Sequence, residues 1–77
     1  MYNNEQLQIR HQTDQAFVRL LCLVLNQRDT VTDENKAGYK QTLLFLRNQL
    51  IFNNCPTLTP NVKDGWIDKI HNTIMNL

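Results

Sequence analysis

Between Ala16 and Leu25 every residue except Arg19 is apolar. At about 100° per residue such a stretch, taken as a helix, carries apolar side chains over nearly its whole circumference, so other elements must be laid around it. Phe17, Leu21 and Val24 mark the centre of the arc, Ala16, Val18, Cys22 and Leu23 extend it, and Arg19 alone occupies the far side. The longest uninterrupted apolar run, Leu20–Leu25, is far shorter than the roughly 20 residues that span a bilayer. A soluble chain is therefore expected. Upstream, from Glu5 to Gln15, only Leu7 and Ile9 are large and apolar, which predicts a wet first half and a buried second half for one helix over about 4–27.

The same spacing of three and four recurs through the rest of the chain, and the period-two alternation of a half-buried strand does not appear. A second helix is predicted over about 33–52, with Thr32 or Asp33 capping its first amides and Asp33 and Glu34 suiting its dipole. Tyr39, Leu43, Leu46 and Leu50 form its core stripe. Asn53, Asn54, Cys55 and Pro56 end it, because the residue before a proline avoids helical angles. The third helix, about 60–76, has the clearest start: Thr59 as N-cap and Pro60 at the first position, where its missing amide costs nothing. Val62, Trp66, Ile70, Ile74 and Leu77 share one side of it, and Lys63, Asp64, Asp68, Lys69 and Asn72 the other. Residues 1–77 thus read as a single all-α domain, a small three-helix bundle.

A domain of 77 residues buries only about 60% of its unfolded surface, too little to enclose a deep cofactor cleft. The formal charge of +1 supplies no long-range field toward nucleic acid or an anionic membrane. The N-terminus, Met1–Gln6, has neither the basic nor the apolar region of a secretory signal, so a cytoplasmic location is expected. Cys22 and Cys55 are too few for a disulfide framework and read as free thiols. Ten asparagines and seven glutamines are scattered through the chain, which builds a polar surface from amides and lowers charge repulsion between molecules.

Catalytic and ligand chemistry find little support in the spacing. His11 and Asp14 stand three apart and could pair as a base and its orienting carboxylate, but no nucleophile has motif spacing to them, and a solvated helix face accounts for both. No enzymatic activity is expected. His11, His71, Cys22 and Cys55 are the only imidazole and thiol donors, and none has zinc-site spacing; Cys22 reads as a core residue and His71 as a surface one. Gly38 and Gly65 are isolated and cannot form a phosphate loop. No metal or cofactor is expected. Trp66 could anchor a partner, but it falls on the apolar line of Val62 and Ile70 and reads as core.

What remains is apolar surface. Phe45 and Phe52, seven apart, project opposite the core stripe of the second helix, and a three-helix bundle cannot bury both arcs. One arrangement centres the first helix and folds loops over the rest. The other leaves Phe45, Phe52 and Leu23 as a docking patch, ringed by the amides Gln41, Asn48 and Gln49. The expected function is accordingly a non-enzymatic interaction module: an adaptor, assembly factor or inhibitor that docks on a larger protein, with a homodimer as a further form of association. Small phage and mobile-element proteins that cover a host protein are one such class, though no residue selects it. The alternative is a nucleic-acid-binding accessory protein that pools Arg10, Lys40 and Arg47 in a dimer. The long connection from Asn53 to Pro60 rules out a helix-turn-helix.

Overall fold

The computed structural model describes residues 3–52 and 54–77; Met1, Tyr2 and Asn53, the last expected in the stop of the second helix, lie outside the described residues. Three helices run up, down and up. Helix α1 spans Asn4–Asn26 and continues as a single 3₁₀ turn, Gln27–Thr30; α2 spans Lys36–Ile51 and α3 spans Pro60–Met75. The chain is an all-α three-helix bundle.

Local chemistry sets most of the ends. Asn3 caps α1 in a reciprocal box: its side-chain oxygen accepts from the Gln6 amide at 2.8 Å while Gln6 Oε1 accepts from the Asn3 amide at 3.0 Å. Thr59 caps α3 by accepting from the Val62 amide, with Pro60 following in the first turn. The start of α2 differs from expectation. Neither Thr32 nor Asp33 caps it; Asn35 is the N-cap residue and makes no side-chain cap bond. Thr32 donates its amide to Asn35 Oδ1 at 2.7 Å, and the Asn35 amide returns to Thr32 Oγ1 at 3.4 Å. That small box holds residues 33–35 in a turn and delays the helix to Lys36.

Antiparallel packing of α1 and α2 is fixed at one end by Tyr39, whose hydroxyl donates to the Val24 carbonyl at 2.6 Å. The Arg28 guanidinium donates to the Asn76 carbonyl, tying the end of α3 to the end of α1, where a cation also suits the helix dipole. Leu21, Leu43, Leu46, Leu50 and Ile70 form the core with two residues from the α2–α3 connection, Cys55 and Leu58. Phe17, Val18, Val24, Leu25, Tyr39, Trp66, Ile67 and Ile74 pack against them. Trp66 is half-buried rather than enclosed, with the Lys69 ammonium 4.7 Å above its ring. Val62, expected on the buried side of α3, is 43% exposed.

Gly38 and Gly65 sit inside helices α2 and α3, and a methyl group added at either would meet nothing within 4 Å. Neither glycine serves a close approach. Gly38→Ala and Gly65→Ala should therefore each stabilise the fold by about 0.5–1 kcal/mol, raising the melting temperature by about 4–8 °C per kcal/mol in a domain of this size. Thermal melts followed by circular dichroism check this.

The molecule is long. It measures 47 × 18 × 15 Å with a radius of gyration of 13.8 Å, whereas a chain of this length packed as a compact domain has about 11–12 Å. The cause is the length of α1, 23 residues against 16 in each partner. Toward the start of α1 the connection before α3 is hydrogen-bonded to Arg10 and Asp14, and the described residues before Arg10 are all exposed.

Candidate docking surface

Two apolar strips stand outside the core. On α2, Leu43, Leu46 and Leu50 face inward and are buried, and the opposite side carries Phe45 and Phe52, exposed by 61% and 72%. Phe52 is the C-cap residue of α2, so its ring lies at the bundle end. Gln41 is exposed beside them, while Asn48 and Gln49 are half-buried. Asn48 accepts from Arg47 Nη2 at 3.2 Å, and Gln49 Oε1 accepts from the Asn54 side-chain amide at 2.6 Å. Of the three amides expected around the patch, Gln41 is thus the exposed one, and Gln49 fastens the connection after α2. Ile51, 52% exposed, stands apart from the two phenylalanines, lining a cleft toward α3 with Pro60, Asp64 and Ile67.

Leu23 belongs to the second strip, on α1, where it is 60% exposed in line with Leu20 at 49% and Ile9 at 58%. The expectation that the second half of this helix is buried all round therefore fails on one side. Its two neighbours cover the face of Phe17, Leu21 and Val24 and leave Ala16, Leu20 and Leu23 in solvent. An apolar run has no azimuth of its own, and two flanking helices of 16 residues cannot surround a longer third.

Polar residues in α1 do structural work. Asp14, expected on a solvated face beside His11, is fully buried. Its Oδ2 accepts from the amide of Thr57 at 2.9 Å and from the Thr57 hydroxyl. Its Oδ1 is held by the charge of Arg10, whose Nη2 lies 3.1 Å away, and the same Arg10 nitrogen donates to the carbonyl of Asn54. His11 is exposed and takes no part. The carboxylate is a clasp that gathers the α2–α3 connection onto α1. Arg10 and Arg47, the two arginines proposed for nucleic acid, both use their guanidinium groups inside the fold: Arg47 reaches Asn48 and stands 3.4 Å from His71 Nε2. Lys40 is exposed.

Cys22 is half-buried and lines an open cleft of about 350 Å³ with Leu25, Trp66 and Lys69 between α1 and α3. Cys55 is buried. Burial pushes the Cys55 thiol above its ordinary 9.0, and the nearby Asp14 carboxylate adds to the rise against the opposing charges of Arg10 and Lys63. Burial likewise lifts the Tyr39 hydroxyl above 10.0, against the opposing charge of Arg28. Among the described residues no group of three or more His, Cys, Asp or Glu could hold a metal ion, and no described helix is long and apolar enough to cross a membrane.

A raised folded-state value means that the neutral thiol is favoured in the fold. Stability from Cys55 is complete below 9.0 and is lost as pH rises through the folded value, with Tyr39 adding a second loss above 10.0. Urea midpoints should therefore fall above pH 9.0, and Cys55→Ala should remove the first part of that fall. At neutral pH a thiol reagent should modify Cys22 in the native protein and Cys55 only on unfolding. Equal rates at the two thiols would contradict the burial of Cys55.

Comparison with protein-family models, with curated proteins and with solved structures finds no match to this chain. The functional reading accordingly rests on the residues and their placement.

Proposed function

We propose that the chain is a small interaction module of the cytoplasm that works without catalysis, docking an exposed apolar helix face onto a larger protein as an adaptor, assembly factor or inhibitor. The observation that carries this is the exposure of Phe45 and Phe52, 61% and 72%, seven residues apart on the outward side of α2. Two aromatic side chains held in water in so small a domain are a cost to solubility that a partner removes, and aromatic residues are the usual anchors of protein interfaces. Gln41 supplies a polar edge. The occupation of Arg10 and Arg47 by contacts within the fold favours a protein partner over a nucleic acid.

The test compares the wild-type chain with a Phe45→Ala/Phe52→Ala variant as baits in extract from the cells that make it, after circular dichroism has established that both are folded. A specific protein retained by the wild type and lost by the variant is the expected result. Equal retention by both baits would remove Phe45 and Phe52 from the interface. Retention of nucleic acid by both, falling steeply with salt, would favour the nucleic-acid reading instead.

A further inference from the structure

Charge distinguishes the open cleft between α1 and α3 from the other hollows of the surface. Its apolar wall is made by Cys22, Leu25 and the half-buried ring of Trp66. Among the described residues that line it, Lys69 alone is charged. The cleft between α2 and α3 instead sets Lys63 beside Asp64, and the hollow at the α1–α2 turn holds Glu34. Near the start of α1, a further hollow has Arg10, which is already paired with Asp14.

Helix geometry keeps this cleft positive. A helical residue meets partners three or four positions away, and for Lys69 these are Gly65, Trp66, Asn72 and Thr73, with no acid among them. Asp64 and Asp68 each stand two positions from Trp66, about 200° around the helix, and so carry their charge on the far side of α3. The Lys69 ammonium accordingly makes no ion pair among the described residues and rests 4.7 Å above the Trp66 ring. On the α1 wall Arg19 adds a second cation, exposed one turn before Cys22. Its own neighbours at three and four, Gln15, Ala16, Cys22 and Leu23, are uncharged as well.

Hydrogen-bond donors complete the rim. Asn26 of α1 and Asn72 of α3 line the cleft from its two sides, and among the described residues their side-chain amides have no hydrogen-bond partner. An aromatic wall beside convergent donors of one charge is the make-up of a small-ligand site, and the sign selects an anion. The volume, about 350 Å³, lies at the lower end of the roughly 300–1,000 Å³ of such sites. It suits a compact ring system rather than a peptide segment.

We propose that the α1–α3 cleft binds a small aromatic carboxylate, its ring against Trp66 and Leu25 and its carboxylate held by Lys69 and the Asn72 amide, with Arg19 adding charge at the rim. On binding, the Lys69 ammonium exchanges the Trp66 ring for the carboxylate, and the ring face it leaves takes the ligand. The exchange is favourable because an exposed cation–π contact is weak, whereas a carboxylate accepts a charge-assisted hydrogen bond. The site is built from α1 and α3 alone and is independent of the docking face on α2.

Titration of the isotopically labelled full chain with naphthoate, followed by two-dimensional NMR, tests the site. Trp66 is the only tryptophan, so its indole N–H resonance reports the cleft without ambiguity. A saturable shift is expected there and at the backbone amides of Cys22 and Asn26. Naphthylmethanol, which has the same ring and no charge, should bind about threefold to fivefold more weakly. Lys69→Gln, an exposed substitution whose fold the same spectrum verifies, should weaken naphthoate by a similar factor and leave the alcohol unchanged, and added salt should weaken naphthoate alone. Phe45→Ala/Phe52→Ala should bind naphthoate as the wild type does. The proposal is overturned by an absence of saturable shift at Trp66, by equal affinity for the acid and the alcohol, by indifference to Lys69→Gln, or by shifts that vanish in the phenylalanine variant. None of these results touches the binding of a larger protein at Phe45 and Phe52, which the bait experiment reads separately.

Discussion

Replacing Asp14 with alanine should destabilise the fold by about 3 kcal/mol, the lower part of the range for breaking a buried pair because Arg10 keeps some contact with solvent. Two losses combine. The Thr57 amide and hydroxyl lose the oxygen they donate to, and Arg10 is left half-buried beside an apolar gap with its Nε already lacking a hydrogen-bond partner. A domain of this length has about 4–12 kcal/mol in total, so the loss is a quarter or more of its stability and should lower the urea midpoint clearly. Asp14→Asn keeps an acceptor for Thr57 but no charge for Arg10, and should fall between alanine and wild type. Urea unfolding followed by Trp66 fluorescence gives all three values; an Asp14→Ala variant within about 0.5 kcal/mol of wild type would mean that the clasp carries no net stability.

The second large effect contrasts two neighbours on α2. Leu43 is fully buried, and Leu43→Ala should cost about 2–5 kcal/mol through lost apolar transfer and the cavity left behind. Phe45, two residues on, has the larger side chain, yet with 61% of it exposed Phe45→Ala should change stability by no more than about 0.5 kcal/mol. If Phe45→Ala instead costs as much as Leu43→Ala, its ring is packed in solution and the outward face of α2 is not available to a partner.

Much of the fold was legible because local chemistry writes it into short stretches. Thr59 and Pro60 announce α3, and Leu43, Leu46 and Leu50 announce the buried side of α2 through spacing alone. Spacing set Phe45 and Phe52 opposite the leucine stripe but left open whether loops fold over them; their exposure, 61% and 72%, comes from the structure. The features that were missed depend on contacts distant in sequence. Asp14 and Thr57 are 43 positions apart, and no local rule links an acid on a polar helix half to a threonine in a connection. Cys55 and Leu58 enter the core from irregular backbone, where there is no period to read. The exposure of Ala16, Leu20 and Leu23 was hidden for a different reason: within the apolar run Ala16–Leu25 nothing local says which side the neighbouring helices cover.

The most direct test of docking is photo-crosslinking in the cells that make the protein, with a benzophenone amino acid placed at Phe52 and, as a control, at Asp68 on the exposed polar side of α3. Docking through the apolar face of α2 predicts a discrete adduct with one larger protein from position 52 and none from position 68. The absence of any adduct from position 52 beyond that of the control, in cells that contain the folded chain, would contradict it.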